Sequence, residues 1–207
     1  MALPIKTIKQ AEAEIEEGKF YTTEEFMRLS LDPGYRYELV RGVIKKLSHP
    51  GGEHMLVVDN LYGEIRNYVR ARGLGRVLPP GSFDLKLDPT RSTVRSPDLT
   101  FIAKGKTIDK SAVIAIPDLA VEVYSINHRP GDYADKFEDY QKAGWDLVWL
   151  IYSPNSSPKK KANKVEVYRL RQSLQPLRVL TLGDKLDGQE VVPGFIMPVA
   201  DLFEYES

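Results

Sequence analysis

The sequence contains no cysteine, which removes disulfides, thiolate metal sites and cysteine nucleophiles together. A chain without disulfides suits a reducing compartment, so a cytoplasmic location is expected. Neither sign of charge is in excess, because 29 Lys and Arg offset 29 Asp and Glu. No overall positive field draws nucleic acid to this protein, and any such contact has to be local. No apolar run reaches membrane-spanning length, and the N-terminus lacks the apolar centre of a signal peptide. No membrane partner is expected. Histidine is scarce, at three residues, and no segment repeats.

What is present is 207 residues of ordinary globular composition, enough for one sizeable domain. Residues 1–20 are charged and poorly patterned and read as an N-terminal arm, with a short helix over Gln10–Glu17 as one option. Residues 21–207 read as a single domain. Thr22-Thr-Glu-Glu25 fits a capping box that opens a short helix, which ends before Asp32-Pro-Gly34. Tyr35–Leu47 alternates around Arg41-Gly42 and reads as a hairpin. Glu53–Arg72 has Met55, Val58, Leu61, Tyr62, Ile65 and Val69 at helical spacing, with Gly73 past its end. Phe83–Leu87 and Val94–Ile102 read as strands. Asp132–Gly144 is helical, and Leu147–Tyr152 is apolar throughout, as a strand covered on both faces should be. Lys164–Arg169 pairs with it as a hairpin, Arg178–Leu182 adds a strand, and a short helix lies near Pro198–Phe203. This order predicts an α/β (α+β) fold, one mixed sheet with helices on both faces.

The stretch to explain is Ile116-Pro-Asp-Leu-Ala-Val-Glu-Val-Tyr-Ser125. As a strand it puts Leu119, Val121 and Val123 on one face and Asp118, Ala120, Glu122 and Tyr124 on the other. A carboxylate in a buried strand is costly unless it is paired or holds a metal. Asp98 stands near the start of the preceding strand, and Lys136 in the first turns of the following helix. Two acids on neighbouring strands with a lysine nearby suit metal-assisted cleavage of a phosphodiester. Mg²⁺ or Mn²⁺ takes hard oxygen ligands, here Asp98, Glu122 and the Val123 carbonyl. The lysine stabilises developing charge. Asp118 lies about 13 Å along the strand from Glu122, too far to share one ion, and a structural role is expected.

Pro97-Asp98, then Glu122-Val-Tyr-Ser125, then Lys136 with Tyr140, Gly144 and Asp146–Tyr152, resembles the Uma-type family of endonucleases. The hairpin Tyr37-Glu-Leu-Val-Arg-Gly42 and His54 at the start of the long helix match its run as well. The likeness covers roughly residues 20 to 170, most of a domain of typical size. It implies the PD-(D/E)xK, restriction-endonuclease-like fold and a metal-dependent endonuclease acting on DNA, with Asp98, Glu122, Lys136 and Glu38 in the catalytic set. His54, Tyr124 and Tyr140 are implied as further site positions. In the broader nuclease pattern a lysine stands two residues after the glutamate; here Tyr124 occupies that place and Lys136 substitutes for it.

Each residue also has a plainer reading. Asp98 can cap a turn, Glu122 can pair with Lys86 or Arg95, and Lys136 can pair with Asp132 one helical turn away. Glu38 can be a surface residue of the hairpin, His54 a helix cap, and Tyr140, Trp145 and Trp149 core. His49, His128 and Lys159–Lys161 read as exposed loop residues. A catalytically inactive module that binds nucleic acid or protein, and an assembly protein such as a homodimer, are the competing functions.

Overall fold

Thr22 starts the first helix as its sequence dictates. The structure, a computed structural model, describes residues 15–16, 18–48, 50–81, 83–85, 87, 92–106, 116–125, 130–154 and 163–204. In α1 (Thr23–Arg28) the Thr22 hydroxyl accepts from the Glu25 amide, while the Glu25 carboxylate accepts from the Thr22 amide. The strands β1 (Arg36–Val40) and β2 (Val43–Leu47) form the hairpin. They turn at Arg41 and Gly42, with φ of 51° and 82°. The helix α2 (Gly52–Arg72) stops at Gly73, which takes the left-handed conformation that suits glycine there. Its buried face is Val57, Leu61, Ile65 and Val69. This corrects the expected stripe: Met55 is 59% exposed, and Val58 and Tyr62 are only partly covered. The buried residues recur every fourth position, so the helix presents a narrower seam to the sheet than the sequence pattern allowed.

The remaining strands are β3 (Gly75–Leu78), β4 (Phe83–Asp84), β5 (Val94–Arg95), β6 (Leu99–Ala103) and β7 (Leu119–Val123). After the helix α3 (Pro130–Lys142) come β8 (Leu147–Tyr152), β9 (Lys164–Arg169), β10 (Arg178–Thr181), β11 (Lys185–Asp187) and β12 (Ile196–Pro198), then a 3₁₀ turn at Val199–Phe203. The described strands form three sheets rather than the single one expected. The central sheet has the order β10-β9-β8-β7-β6-β3. Its β7–β8 pair is parallel, bridged by α3, and its other pairs are antiparallel. A second sheet runs β2-β1-β5-β4, and β11 pairs with β12.

The expected strand Val94–Ile102 is the reason for the division. It breaks at Ser96–Asp98 into β5, which belongs to the hairpin sheet, and β6, which belongs to the central one. Pro97 has no N–H for a ladder, and the Asp98 amide instead donates to the Val121 carbonyl at 3.0 Å. The strand expected over Phe83–Leu87 is likewise only β4, and the hairpin of β11 and β12 was not legible as strands.

Alternation across the central sheet separates two cores. Leu119, Val121, Val123, Leu147, Trp149 and Ile151 pack with the seam of α2. Ala120, Val148 and Leu150 pack with Tyr133, Phe137 and Tyr140 of α3. Helices therefore cover both faces. Trp145 and Trp149 are buried in these two cores. Gly75 lies so close to β6 that a Cβ there would sit 2.1 Å from the Ile102 carbonyl oxygen. Gly75→Ala is therefore expected to cost about 2 kcal/mol, measured by urea unfolding; an unchanged midpoint would contradict the close approach. Among the described residues no helix is long and apolar enough to cross a membrane.

Candidate active site

The register of the central sheet places the two acids. Leu99 pairs with Val121 and Thr100 with Ala120, so Asp98, one residue before β6, stands level with Glu122. The strand break turns the Asp98 side chain into the seam between the two sheets, where it is buried. Its Oδ1 accepts from Arg36 Nη1 at 2.7 Å and lies 3.1 Å from His54 Nε2. Its Oδ2 accepts from the Val123 amide at 2.8 Å. Asp98 thus joins β1, α2 and β7 at one point.

Lys136 enters from the second turn of α3. Its ammonium lies 2.9 Å from Glu38 Oε1 and 2.8 Å from Glu122 Oε1, and only 7% of the residue is exposed. The simple helical pair with Asp132 is therefore not its main engagement. Glu122 also accepts from the Tyr140 hydroxyl at 2.6 Å, and Tyr140 stacks on Trp145 with ring centroids 4.1 Å apart. Glu38 is buried rather than on the hairpin surface. It accepts from the Ser96 amide at 3.0 Å and from Arg95 Nη1 at 2.8 Å. Arg95 in turn donates to Asp139 through Nε and Nη2. Arg95 therefore serves Glu38 and Asp139, not Glu122.

Electrostatics distinguishes the carboxylates. Burial works against the charge of Glu38, but Lys136 and Arg95 outweigh it and bring the carboxyl down to about 2. Burial also opposes charge on Asp98, yet His54, Arg36 and Lys136 hold it well below the usual carboxylate range. At Glu122 burial wins. With Asp98 adding repulsion against the pull of Lys136, the carboxyl rises from 4.5 to about 7. Lys136 feels burial too, but the surrounding acids raise its pKa further, so it stays charged.

A stability profile follows. Between about pH 4.5 and 7 the folded protein holds a proton on Glu122 that the unfolded chain has released, so stability falls as pH rises through this window. The fall should approach roughly 3 kcal/mol. Glu122→Gln should flatten it in chemical melts at fixed ionic strength, and a wild-type profile already flat there would show that Glu122 titrates normally.

The acids share a small pocket of about 20 Å³, lined by Arg36, His54, Asp98, Glu122, Val123 and Lys136 among others. That is room for one water or ion. The Val123 carbonyl accepts from the Tyr133 hydroxyl at 3.1 Å. Tyr124 is not among the lining residues; it stacks between Tyr133 and Tyr152, with centroids 5.2 and 4.8 Å away. His54 does not cap its helix, whose N-cap is Gly51 with no side-chain cap. Asp118 has the structural role expected, accepting from the Ala103 amide and pairing with Lys106. Lys86, His49, His128 and Lys159–Lys161 lie outside the described residues, as does most of the 1–20 arm. Three participants escaped sequence reasoning as site residues: Arg36, Arg95 and Asp139. A signal for two of them was available. Arg36 shares a strand face with Glu38, and Asp139 follows Lys136 by three residues on one helix face.

Comparison with known proteins adds a family. A family model named Uma2, described as "Putative restriction endonuclease", matches residues 23–200. Among curated proteins there is no match. A crystal structure described as "a putative nuclease belonging to DUF820 from Anabaena variabilis ATCC 29413" superposes with a TM-score of 0.69 at 19% identity. The match covers 88% of this chain and 97% of that one, and at this identity the likeness concerns the fold. With Asp98, Glu122 and Lys136 gathered on that fold and most of the sequence matched, the chain belongs to the Uma2 family, described as putative restriction endonucleases, and has the restriction-endonuclease-like architecture.

Proposed function

We propose that the protein is a nuclease that hydrolyses phosphodiester bonds in DNA with the help of Mg²⁺ or Mn²⁺. The observation that carries this reading is the convergence of Asp98, Glu122, the Val123 backbone and Lys136 on one pocket with room for a water or ion. Among the described residues no group of three or more His, Cys, Asp or Glu gathers as a metal site. Two carboxylates and a carbonyl with waters are nevertheless what a hard divalent ion accepts, so the donor set fits. Asp98, Glu122 and the Val123 carbonyl would hold the ion, in competition with the pairs that Arg36 and Lys136 now make. When bound, such an ion supplies an activated water and positive charge against the phosphate.

The chain's own residues supply the rest. The Lys136 ammonium, fixed by Glu38 and Glu122, faces the pocket as a rigid positive charge and stabilises negative charge developing on the phosphate oxygens. Arg36 reaches the same pocket from β1 and can take a phosphate oxygen. Pro50 and His54 bring the start of α2 to the pocket wall. No side chain caps that helix end, whose amides favour an anion. The test is cleavage by the purified full-length chain of single-stranded DNA, duplex DNA and RNA. Cutting of DNA that needs Mg²⁺ or Mn²⁺ and stops with chelator is expected; no cutting of any substrate with either ion would sink the reading.

A further inference from the structure

A second hollow, of about 760 Å³, opens beside the acid pocket. The two share Arg36, Pro50, His54 and Asp98. Beyond that common edge the walls are chiefly apolar: Met55, Leu56 and Tyr62 from α2, and Pro79-Pro80 after β3. Met55 is 59% and Leu56 45% exposed. Adjacent large apolar side chains left open on one side of a soluble domain mark a contact site. The mismatch between the expected and observed faces of α2 has the same origin: Met55 serves this cleft and not the core.

We propose that the cleft receives an unstacked nucleobase of the strand whose phosphate enters the acid pocket, so that the substrate is single-stranded or locally unpaired nucleic acid. This rests on the nuclease reading for the phosphate, but not for the base. The shared edge is the first argument. A chain with its phosphate against Arg36 places a neighbouring group directly over the apolar wall. The character of the wall is the second. The Tyr62 ring and two consecutive prolines are flat and stiff, and the face of any base stacks on such surfaces whatever its identity. The guanidinium of Arg66 lies 5.7 Å from the Tyr62 ring centroid, so a cation flanks the platform. Asp59, one turn beyond Met55 and Leu56 on the same helix and also lining the cleft, is the third. It repels a second phosphate, which keeps the backbone on the Arg36 side and leaves the base to fill the cleft. A base inside a duplex is paired and stacked on both faces, and entering the cleft would require flipping it out.

The test uses the full-length chain in low salt with chelator, so that nothing is cut. Fluorescence anisotropy is read with a labelled single-stranded oligonucleotide, the same strand carrying abasic sites, and the corresponding duplex. The intact strand should bind about tenfold more tightly than either. Leu56→Glu and Met55→Glu, at exposed helical positions, should remove that advantage without changing the melting temperature. Equal affinity for intact and abasic strands, as a cleft built for a protein partner would give, overturns the proposal, and so does a preference for the duplex. Cleavage assays in Mg²⁺ separate the two readings. Cutting without any base advantage removes the cleft and leaves the nuclease, whereas a base advantage without cutting does the reverse.

Discussion

Glu122→Gln is expected to lower the DNA cleavage rate by at least about a thousandfold while the protein stays folded. The substitution keeps the shape of the side chain and removes its charge. Near neutral pH the native carboxyl is already protonated in much of the population, since burial and Asp98 raise it to about 7. A neutral amide at this position is therefore close to a state that the fold tolerates. Lys136 keeps Glu38 at 2.9 Å, and the Tyr140 hydroxyl can still donate to the amide oxygen. The chemistry has no such substitute, because an uncharged group neither holds a divalent ion well nor takes up a proton. Steady-state cleavage and urea melts on one preparation separate the effects. Loss of rate with loss of structure would place Glu122 in the scaffold, and retained rate would remove it from the site.

The elements that a local rule governs were legible in the sequence. The Thr22 capping box, the Arg41-Gly42 turn, the Gly73 stop and the apolar strand Leu147–Tyr152 each depend on a few neighbouring residues, and each is found where the residues put it. The Glu122 anomaly was legible for the same reason: two-residue alternation alone makes an acid in an apolar strand conspicuous. What was not legible depends on residues far apart. The break at Pro97, which sends β5 and β6 to different sheets, follows from a proline with no amide to give a ladder, after which the Asp98 amide bonds to Val121 on β7. The exposure of Met55 follows from how α2 rests on the sheet. Arg36, Arg95 and Asp139 look like ordinary surface charges until β1, β5 and α3 meet around Glu38 and Asp98.

That meeting makes Arg95 the residue whose loss should cost the fold most. Arg95→Met is expected to destabilise the protein by about 3–5 kcal/mol. Arg95 is 3% exposed, and its guanidinium joins two acids that are themselves 3% and 1% exposed, Glu38 and Asp139. Methionine fills similar space, so the cost is electrostatic and not a cavity. Glu38 would keep Lys136 and the Ser96 amide, but Asp139 would be left with Arg41 at 4.0 Å, a distance at which little of the attraction survives beside solvent. The uncompensated charge is therefore mainly that of Asp139, and this can be isolated by a double-mutant cycle. Asp139→Leu added to Arg95→Met should recover about half of the lost stability, because it removes the stranded acid. Cleavage should not recover with it, since Glu38 still lacks one of its two cations and holds Lys136 with only the Ser96 amide to fix it. Equilibrium urea unfolding of the four proteins reads the coupling. A double variant less stable than Arg95→Met alone would mean that the two residues act independently, and that Glu38 and Lys136 are held in place by packing instead of by this chain of charges.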